Sequence, residues 1–229
     1  MSDGIDHRRV DVRHLAVNTL RSVADAFGLG RVPVVCNSMG GLWGLWFTLD
    51  SPERVSIMAQ MGCPALILET SAPFFMRLLS VPGINRLIVP NLQPKSIDKA
   101  LDGLRLQGSS QEDIDRMPRV VAEAAYRFFQ LPTYLDTWVT LITAIATLTG
   151  AKPKYQLSAD QLQVVQQPVL FVWGENDPFG GLDVAHRAAR TIPNARLYEM
   201  PTGHLPFLDK PQECGRVIRE FLSDEFHQG

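Results

Sequence analysis

The stretch at residues 32–41 constrains the fold of this chain more than any other part of the sequence. Residues 32–35 form a short apolar run that is typical of a buried strand, and two glycines at 40 and 41 then open a helical pattern. Ser38 stands between the run and the glycines, so the order is strand, tight turn and helix. This order predicts a nucleophile elbow, a turn that holds a serine hydroxyl away from the backbone at a helix N-terminus.

Small residues flank this serine at the positions where a sharp turn requires them. Side chains two places before and two places after the serine face the adjoining strand and helix, and Cys36 and Gly40 occupy those places. Such elbows usually have a glycine at the first place, so the stretch also fits a plainer interpretation. In that alternative, a buried strand precedes a glycine-opened helix and Ser38 has no special role.

The composition excludes several classes of protein. The 229 residues are 45% hydrophobic and carry a formal net charge of −2, which suits one core with an inserted subdomain. This charge favours neither a nucleic-acid surface nor a polybasic membrane patch. The polar N-terminus resembles neither a signal peptide nor an anchor, and the apolar segment 138–148 is too short to cross a bilayer.

The number and spacing of the cysteines indicate the redox compartment of the protein and whether it has a zinc site. Cys36, Cys63 and Cys214 are odd in number, widely spaced and without zinc-ligand spacing, which favours a reducing compartment over a disulfide framework. We therefore expect a cytoplasmic protein that acts on a small-molecule substrate, binds no nucleic acid or membrane, and uses no cofactor or metal.

Alternating helix and strand patterns predict an α/β fold with a parallel sheet flanked by helices. Residues 1–65 give the first part of this core and residues 166–229 the second. The predicted strands are 32–36, 55–61, 169–173 and 195–200, and the predicted core helices are 12–27, 41–50, 182–191 and one around 217–222.

Residues 66–165 show helical patterns and no convincing strand. One helix begins after Ser96, a second starts at Ser110 with an apolar face that extends to Phe128, and others cover residues 133–148 and 158–166. We interpret this insertion as a helical cap over the carboxyl edge of the sheet. The alternative is a helical domain that only packs against the core and covers no ligand site.

Ser38, Asp177 and His204 each follow the carboxyl end of a predicted strand, where side chains converge on ligand sites in open α/β sheets. A serine hydroxyl becomes a nucleophile when an imidazole takes its proton and a carboxylate orients that imidazole. Glu175 is the nearest rival for the acid and Asp183 a weaker one. The sequence thus predicts a Ser-His-Asp catalytic triad.

Four segments together resemble the α/β-hydrolase superfamily in its lid-bearing form, over essentially the whole chain. They are residues 36–41, 52–55, 173–177 and 203–206, and the triad order Ser, Asp, His is the one this superfamily uses. A serine at the elbow argues against its haloalkane dehalogenases and epoxide hydrolases, which have an aspartate there.

The resemblance implies a role for each site residue. Ser38 attacks a carbonyl, His204 relays the proton, Asp177 orients His204, and the backbone N–H of Met39 stabilises the oxyanion. We expect substrate contacts from three further residues, namely Asn37, Phe179 and Leu205.

The resemblance leaves the reaction open between alternatives. Residues 37–41 are similar to the elbow of hydrolases that cleave carbon–carbon bonds in ring-fission products, but those enzymes typically have tryptophan after the histidine, where this chain has Leu205. A serine hydrolase of a small or medium apolar carboxylic ester, or a related acyl compound, therefore ranks first and a C–C hydrolase second. A third alternative is a catalytically silent member, either a truncated fragment or a ligand-binding protein.

The N-terminal half of the superfamily's sheet is missing from the predicted elements. The family normally has eight strands, whereas four are predicted here, and the loop that carries the second oxyanion donor has no counterpart. Residues 1–4 resemble the tail of a Gly-x-Gly-x-Ser-Asp turn that often precedes, in relatives, the helix leading to the elbow, which is predicted here at 12–27. We hypothesise an N-terminally truncated reading of a longer protein. The alternative is a short variant whose open strand edge at 32–36 is covered by the N-terminal arm, a second copy or another partner.

Overall fold

The computed structural model of this protein describes residues 4–226, so most of the predicted turn at residues 1–4 lies outside the described residues. The strands are β1 (Val32–Asn37), β2 (Val55–Met61), β3 (Ala146–Thr147), β4 (Gly150–Ala151), β5 (Val169–Gly174) and β6 (Ala195–Met200). The helices of the core are α1 (Val12–Ala26), α2 (Met39–Asp50), α10 (Leu182–Thr191), α11 (Pro206–Asp209) and α12 (Pro211–Phe226). The helices between β2 and β5 are α3 (Phe74–Arg77), α4 (Ile84–Ile88), α5 (Ile97–Arg105), α6 (Gln111–Arg116), α7 (Arg119–Phe129), α8 (Tyr134–Ile145) and α9 (Ala159–Leu162).

The main sheet has the order β1-β2-β5-β6, and all of its neighbouring strands are parallel. This confirms the predicted parallel sheet and its four strands, each within a residue of the expected bounds. Strand β5 is buried at every position, as expected for a strand covered on both faces. The carboxyl ends of the four strands therefore lie along one edge, where the predicted site residues follow.

Separate clusters of buried side chains cover the two faces of this sheet. On one face, α1, α2 and α10 pack over the strands, and the bulkiest fully buried side chains are Trp46, Trp173, Phe47 and Phe171. On the other face, α12 packs Val217 and Phe221 over β2, β5 and β6. The sheet thus has the helix-covered faces that its apolar strands require.

Strand β1 pairs with β2 on one side, and no other strand of the described residues pairs with its second side. Its side chains alternate between half-buried and exposed, and Val35 is 48% exposed. The predicted open edge is therefore present in residues 4–226. Whether a second copy or another partner covers it stays a prediction.

The helical segment between β2 and β5 departs from the prediction in three places. The helix expected from Ser110 to Phe128 is broken, because Pro118 has no N–H to donate and Met117 before it is extended at φ −64° and ψ 130°. The helix expected over 133–148 ends at Ile145, and β3 and β4 then form a short antiparallel hairpin where no strand was predicted. The last predicted helix, 158–166, is reduced to α9. We keep the name cap for residues 66–165.

Two short helices of the cap, α3 and α4, were not predicted, because four or five residues are too few for a helical period to show. Within the described part of the chain, none of the helices is both long enough and apolar enough to cross a membrane.

Candidate active site

Ser38 sits in the tight turn between β1 and α2, as the sequence predicts for an elbow. Its backbone has φ 52° and ψ −117°, a conformation that costs a non-glycine residue free energy unless its surroundings hold it there. Its carbonyl oxygen provides that support by accepting N–H groups from Gly41, Leu42 and Ala65 at 2.9, 3.2 and 3.0 Å. Helix α2 begins at the next residue, Met39, so the serine stands at a helix N-terminus.

The tightest packing behind the elbow is at Gly41. A Cβ atom on Gly41 would overlap the side-chain amide of Gln60, a fully buried residue of β2. A Cβ atom on Gly40 would lie 3.7 Å from the Cβ atom of Cys36, an ordinary contact. The small pair that the sequence singled out thus leaves room for a methyl group, and the second glycine is the constrained one. The buried Gln60 is the reason, and no pattern in the sequence reveals it.

Asp177, in the loop after β5, is buried and holds three hydrogen-bond donors. Its Oδ2 atom lies 2.7 Å from Nδ1 of His204 and 2.7 Å from the backbone nitrogen of Cys63. Its Oδ1 atom accepts the N–H of Phe179 at 2.9 Å. The two rivals, Glu175 and Asp183, are exposed. Of the three acids considered, Asp177 is the one that the structure pairs with the histidine.

This contact sets the tautomer of His204. A carboxylate can only accept, so Nδ1 carries the hydrogen and the neutral ring leaves a lone pair on Nε2. The side chain is buried, and Nε2 has no hydrogen-bond partner among the described residues. A buried, unpartnered ring nitrogen is unusual, and it is what a general base that waits for a substrate proton requires.

Gly62 allows the pair to form. Its φ is +64°, and a Cβ atom there would overlap the carbonyl oxygen of His204 and lie 3.2 Å from Oδ2 of Asp177. Any side chain at this position would therefore displace the histidine or the acid. In the sequence, Gly62 is distinguished only by its place directly after the predicted strand 55–61.

The histidine loop also touches the elbow. The side-chain amide of Asn37, directly before Ser38, donates to the carbonyl oxygen of His204 at 3.1 Å and to that of Met61 at 2.8 Å. The Phe179 ring stacks on the His204 imidazole with centroids 4.1 Å apart. Ser38 and His204 therefore lie on adjoining loops, although no hydrogen bond joins their side chains within residues 4–226. Such contacts are often long in ligand-free sites.

A cavity of about 470 Å³ lies over Ser38, between the sheet edge and the cap. Core residues Ser38, Met39 and Phe179 line it from below. The side chains that line it from the cap are mostly apolar and include Phe75, Met76, Leu92, Phe129, Trp138 and Leu141. Its one lysine, Lys99, is at the rim, and its Nζ atom lies 3.1 Å from Oδ2 of Asp102. The cavity therefore suits a largely apolar, uncharged ligand.

Of the three residues expected to contact the substrate, one lines the cavity and two do not. Phe179 lines the cavity, whereas Asn37 and Leu205 do not. The amide of Asn37 is occupied by two backbone carbonyls, and Leu205 packs with Leu104 and Ile114 beneath the cap.

The N–H of Met39 is the first of α2, and such groups have no acceptor within their own helix. It is therefore available to an oxyanion on a ligand at Ser38. Two thiols near the site are poor competitors as nucleophiles, because burial raises the pKa of Cys36 to about 12 and raises that of Cys63 well above its ordinary value. Among the described residues, no three His, Cys, Asp or Glu side chains lie together as metal ligands.

Comparison with known proteins gives a consistent family. A family model described as alpha/beta hydrolase fold matches residues 16–211. A 2-hydroxy-6-oxononadienedioate/2-hydroxy-6-oxononatrienedioate hydrolase of Burkholderia vietnamiensis is 27% identical over 91% of this chain and 68% of its own length. A homoserine O-acetyltransferase of Deinococcus radiodurans is also 27% identical, over 88% of this chain and 60% of its own.

Solved structures agree on the fold. A meta-cleavage product hydrolase from Pseudomonas fluorescens superposes with a TM-score of 0.72 at 17% identity, covering 94% of this chain and 73% of that one. A 2-hydroxy-6-oxo-6-phenylhexa-2,4-dienoate hydrolase from a Rhodococcus strain gives 0.70 at 18% identity, over 90% and 69%.

Proposed function

This chain belongs to the α/β-hydrolase family, a family of hydrolytic enzymes, and from that premise we propose that it is a serine hydrolase whose triad is Ser38, His204 and Asp177. One observation carries the proposal above the others. His204 is held by Asp177 on Nδ1, while its buried Nε2 is left without a partner beside the elbow serine.

The chemistry follows from these positions. Ser38 Oγ attacks the acyl carbonyl carbon as its proton passes to Nε2 of His204, and the negative oxygen that forms is stabilised by the N–H of Met39. The imidazolium returns the proton to the leaving group, and an acyl-enzyme remains on Ser38. Water, deprotonated by His204, then releases the acid and restores the serine.

A fluorophosphonate probe tests the nucleophile, because it forms a covalent bond only with an activated serine. We expect labelling of the wild type and none of Ser38→Ala, with Ser71→Ala as the matched control. Ser71 also lines the cavity, but it is not at the elbow. Failure to label a folded wild type, or labelling that survives in Ser38→Ala, contradicts the proposal and favours a catalytically silent, ligand-binding member.

The cavity favours a small or medium apolar carboxylic ester as substrate. Its lining is mainly hydrocarbon, and the rim lysine is already paired with Asp102. An uncharged acyl group can enter such a cavity without losing charge hydration, whereas a dianion would need cationic partners. Hydrolysis of short to medium p-nitrophenyl esters measures this activity.

A C–C hydrolase is the second candidate, and the relatives favour it. Several of them, at about 26% identity, are named as hydrolases of 2-hydroxy-6-oxononadienedioate, a dicarboxylate. Parallel assays on aryl esters and on dienoic ring-fission acids separate the two candidates. If a dicarboxylate is the substrate, Lys99→Met should weaken turnover of that acid about tenfold and leave ester turnover unchanged.

A further inference from the structure

One turn of the cap lies directly against the histidine loop. The carbonyl oxygen of Gln107 accepts the backbone N–H of His204 at 2.8 Å. The next residue, Gly108, has φ +87°, and a Cβ atom on it would overlap the carbonyl oxygen of Asn176, beside the acid. Gly203 is equally tight, since a Cβ atom there would lie 2.5 Å from the carbonyl oxygen of Gln107. The turn at 107–109 is thus packed, backbone to backbone, against both catalytic loops.

A buried carboxylate stabilises the contact between the cap turn and the histidine loop. Asp209, in α11, is 6% exposed, and its Oδ1 atom accepts the hydroxyl of Ser109 at 2.7 Å. Its Oδ2 atom accepts the backbone N–H of Gly203 at 2.8 Å. One side chain therefore ties the cap turn to the residue before the catalytic histidine. Hydrogen bonds to a carboxylate are stronger than those between neutral groups.

We propose that Asp209 and the turn at 107–109 are positioning elements for His204, so that the cap itself holds the catalytic base in place. This inference rests on the proposed function. In this proposal, Asp209 and the turn at 107–109 do not contact the reacting atoms. They act by holding His204. The cap in this arrangement both encloses the cavity and sets the geometry of the triad.

The main chain of His204 shows why the cap contact matters. Asp177 fixes Nδ1 of the ring. Asn37 donates to the carbonyl oxygen of His204 and contacts neither its backbone N–H nor its ring through a hydrogen bond. The N–H is held by Gln107 alone among the described hydrogen bonds. Loss of that bond would free the peptide plane before His204 and displace Nε2 relative to Ser38. A displacement of about 1 Å can cost a hundredfold in rate.

Ser109→Ala tests the tie, with Ser110→Ala as the matched control. Ser110 is its neighbour and also donates to a buried carboxylate, with Oγ 2.6 Å from Oδ2 of Asp113, but that bond lies within the cap. We expect Ser109→Ala to lower kcat per active site about tenfold with KM changed less than about twofold. Ser110→Ala should leave both constants close to the wild type.

Gly108→Ala tests the turn itself, with Gly83→Ala as its control. Both glycines lie in the cap with positive φ, at +87° and +93°, so an alanine is strained at either position. A Cβ atom on Gly83 meets nothing within 4 Å, whereas one on Gly108 collides with the acid loop. We expect a fall of about a hundredfold in kcat for Gly108→Ala and little change for Gly83→Ala.

Two readouts separate positioning from a loss of folded protein. Titration with the fluorophosphonate probe counts active sites, so that kcat is expressed per competent molecule. The downfield proton NMR signal of the hydrogen between His204 and Asp177 reports the pair directly and needs no turnover. We expect this signal to shift or broaden in Ser109→Ala and to be unchanged in Ser110→Ala.

The experiments distinguish failure of the positioning role from failure of the proposed function. Wild-type activity that depends on Ser38, with equal kcat per site in Ser109→Ala and Ser110→Ala, overturns the positioning proposal and leaves the proposed function standing. A wild type that is not labelled at all refutes the function instead. In that case the NMR signal still decides, because an unchanged signal in both Ser109→Ala and Gly108→Ala overturns the positioning role.

Discussion

The backbone N–H of Cys63 and Oδ2 of Asp177 lie 2.7 Å apart, and that same oxygen faces Nδ1 of His204. The acid is therefore fixed from the end of β2 as well as by its own loop, where the N–H of Phe179 binds Oδ1. Each carboxylate oxygen accepts at least one backbone donor. The acid cannot rotate without leaving a buried N–H unpaired, which costs about 1–3 kcal/mol.

Asp177→Asn is expected to lower both activity and stability. The new amide must turn its NH2 group toward the N–H of either Cys63 or Phe179, and it no longer carries the charge that stabilises an imidazolium. We expect kcat to fall by about 10³ to 10⁴ and the melting temperature to drop. Steady-state kinetics on an aryl ester and a thermal melt measure the two effects.

Glu175→Gln is the control for that substitution, since Glu175 lies in the same loop and is exposed. It should keep kcat within about twofold of the wild type, as surface substitutions usually do. A loss of activity in Glu175→Gln as large as in Asp177→Asn would falsify the choice of Asp177 as the triad acid.

Gly41→Ala is expected to disturb the elbow, whereas Gly40→Ala is not. The methyl group at position 41 meets the amide of Gln60, whose own Nε2 atom is held 2.9 Å from the carbonyl oxygen of Met61. We expect Gly41→Ala to lose about 1–3 kcal/mol of unfolding free energy, as in other overpacked sites. Gly40→Ala, in a helix with room for a methyl group, should be neutral or gain up to about 1 kcal/mol.

Urea denaturation measures these two free energies, and the rate of fluorophosphonate labelling measures the state of Ser38. We expect slower labelling in Gly41→Ala alone. Equal stability and equal labelling rates in the two variants would show that the Gln60 side chain can move aside at little cost in free energy.

Much of the fold, and the contact between Asp177 and His204, could be predicted because the signals are local. A β-branched run such as residues 32–35 reports a buried strand within a few residues, and a helix such as α1 shows its period over 15 residues. The residues of the proposed triad each follow the end of a strand, and parallel strands place their carboxyl ends at one edge. Pro118 is also a local signal, because a proline in the interior of a helix interrupts it. The break between α6 and α7 is therefore predictable from the sequence.

What could not be predicted depends on contacts between distant residues. Ser109 and Asp209 are 100 positions apart, and nothing near either one indicates that they meet. The space behind Gly41 is limited by Gln60 on another strand, and the lining of the cavity is set by how the cap packs. The hairpin of β3 and β4 is two residues per strand, too short for an alternating pattern to appear.

The three cysteines are expected to react slowly with iodoacetamide in the folded protein. Burial raises the pKa of Cys36 to about 12 and that of Cys214 to about 11, and it raises that of Cys63 well above its ordinary value. Since the thiolate is the reacting form, alkylation of Cys36 at pH 8 should be on the order of a thousandfold slower than in urea. Peptide mapping of alkylated samples gives each rate. Rapid alkylation of Cys36 in the folded protein would contradict this burial. We also expect esterase activity to survive treatment with iodoacetamide.

The N-terminal arm is expected to hold to the cap less tightly in acid, because of His7. Its backbone N–H donates to Oγ1 of Thr140 in α8 at 3.2 Å, and the residue is 5% exposed. Burial lowers the pKa of His7 below its ordinary value, and a weaker hydrogen bond to Thr137 and the charge of Asp6 act in the opposite direction. The unfolded chain therefore binds a proton at this residue more readily than the folded one. Below about pH 6.5 the unfolded state takes up that proton first, so the contribution of His7 to stability is complete above pH 6.5 and is lost as the pH falls through its folded pKa.

Urea denaturation at pH 7.5 and pH 5 measures this effect, with His7→Gln as the variant and His14→Gln, exposed on α1, as the control. Other groups also titrate in this range, so the quantity to compare is the loss of unfolding free energy between the two pH values. We expect a smaller loss in His7→Gln than in the wild type and in His14→Gln, because a glutamine at position 7 has no proton to gain. An equal loss in all three proteins would mean that His7 binds its proton as readily in the folded arm as in the unfolded chain.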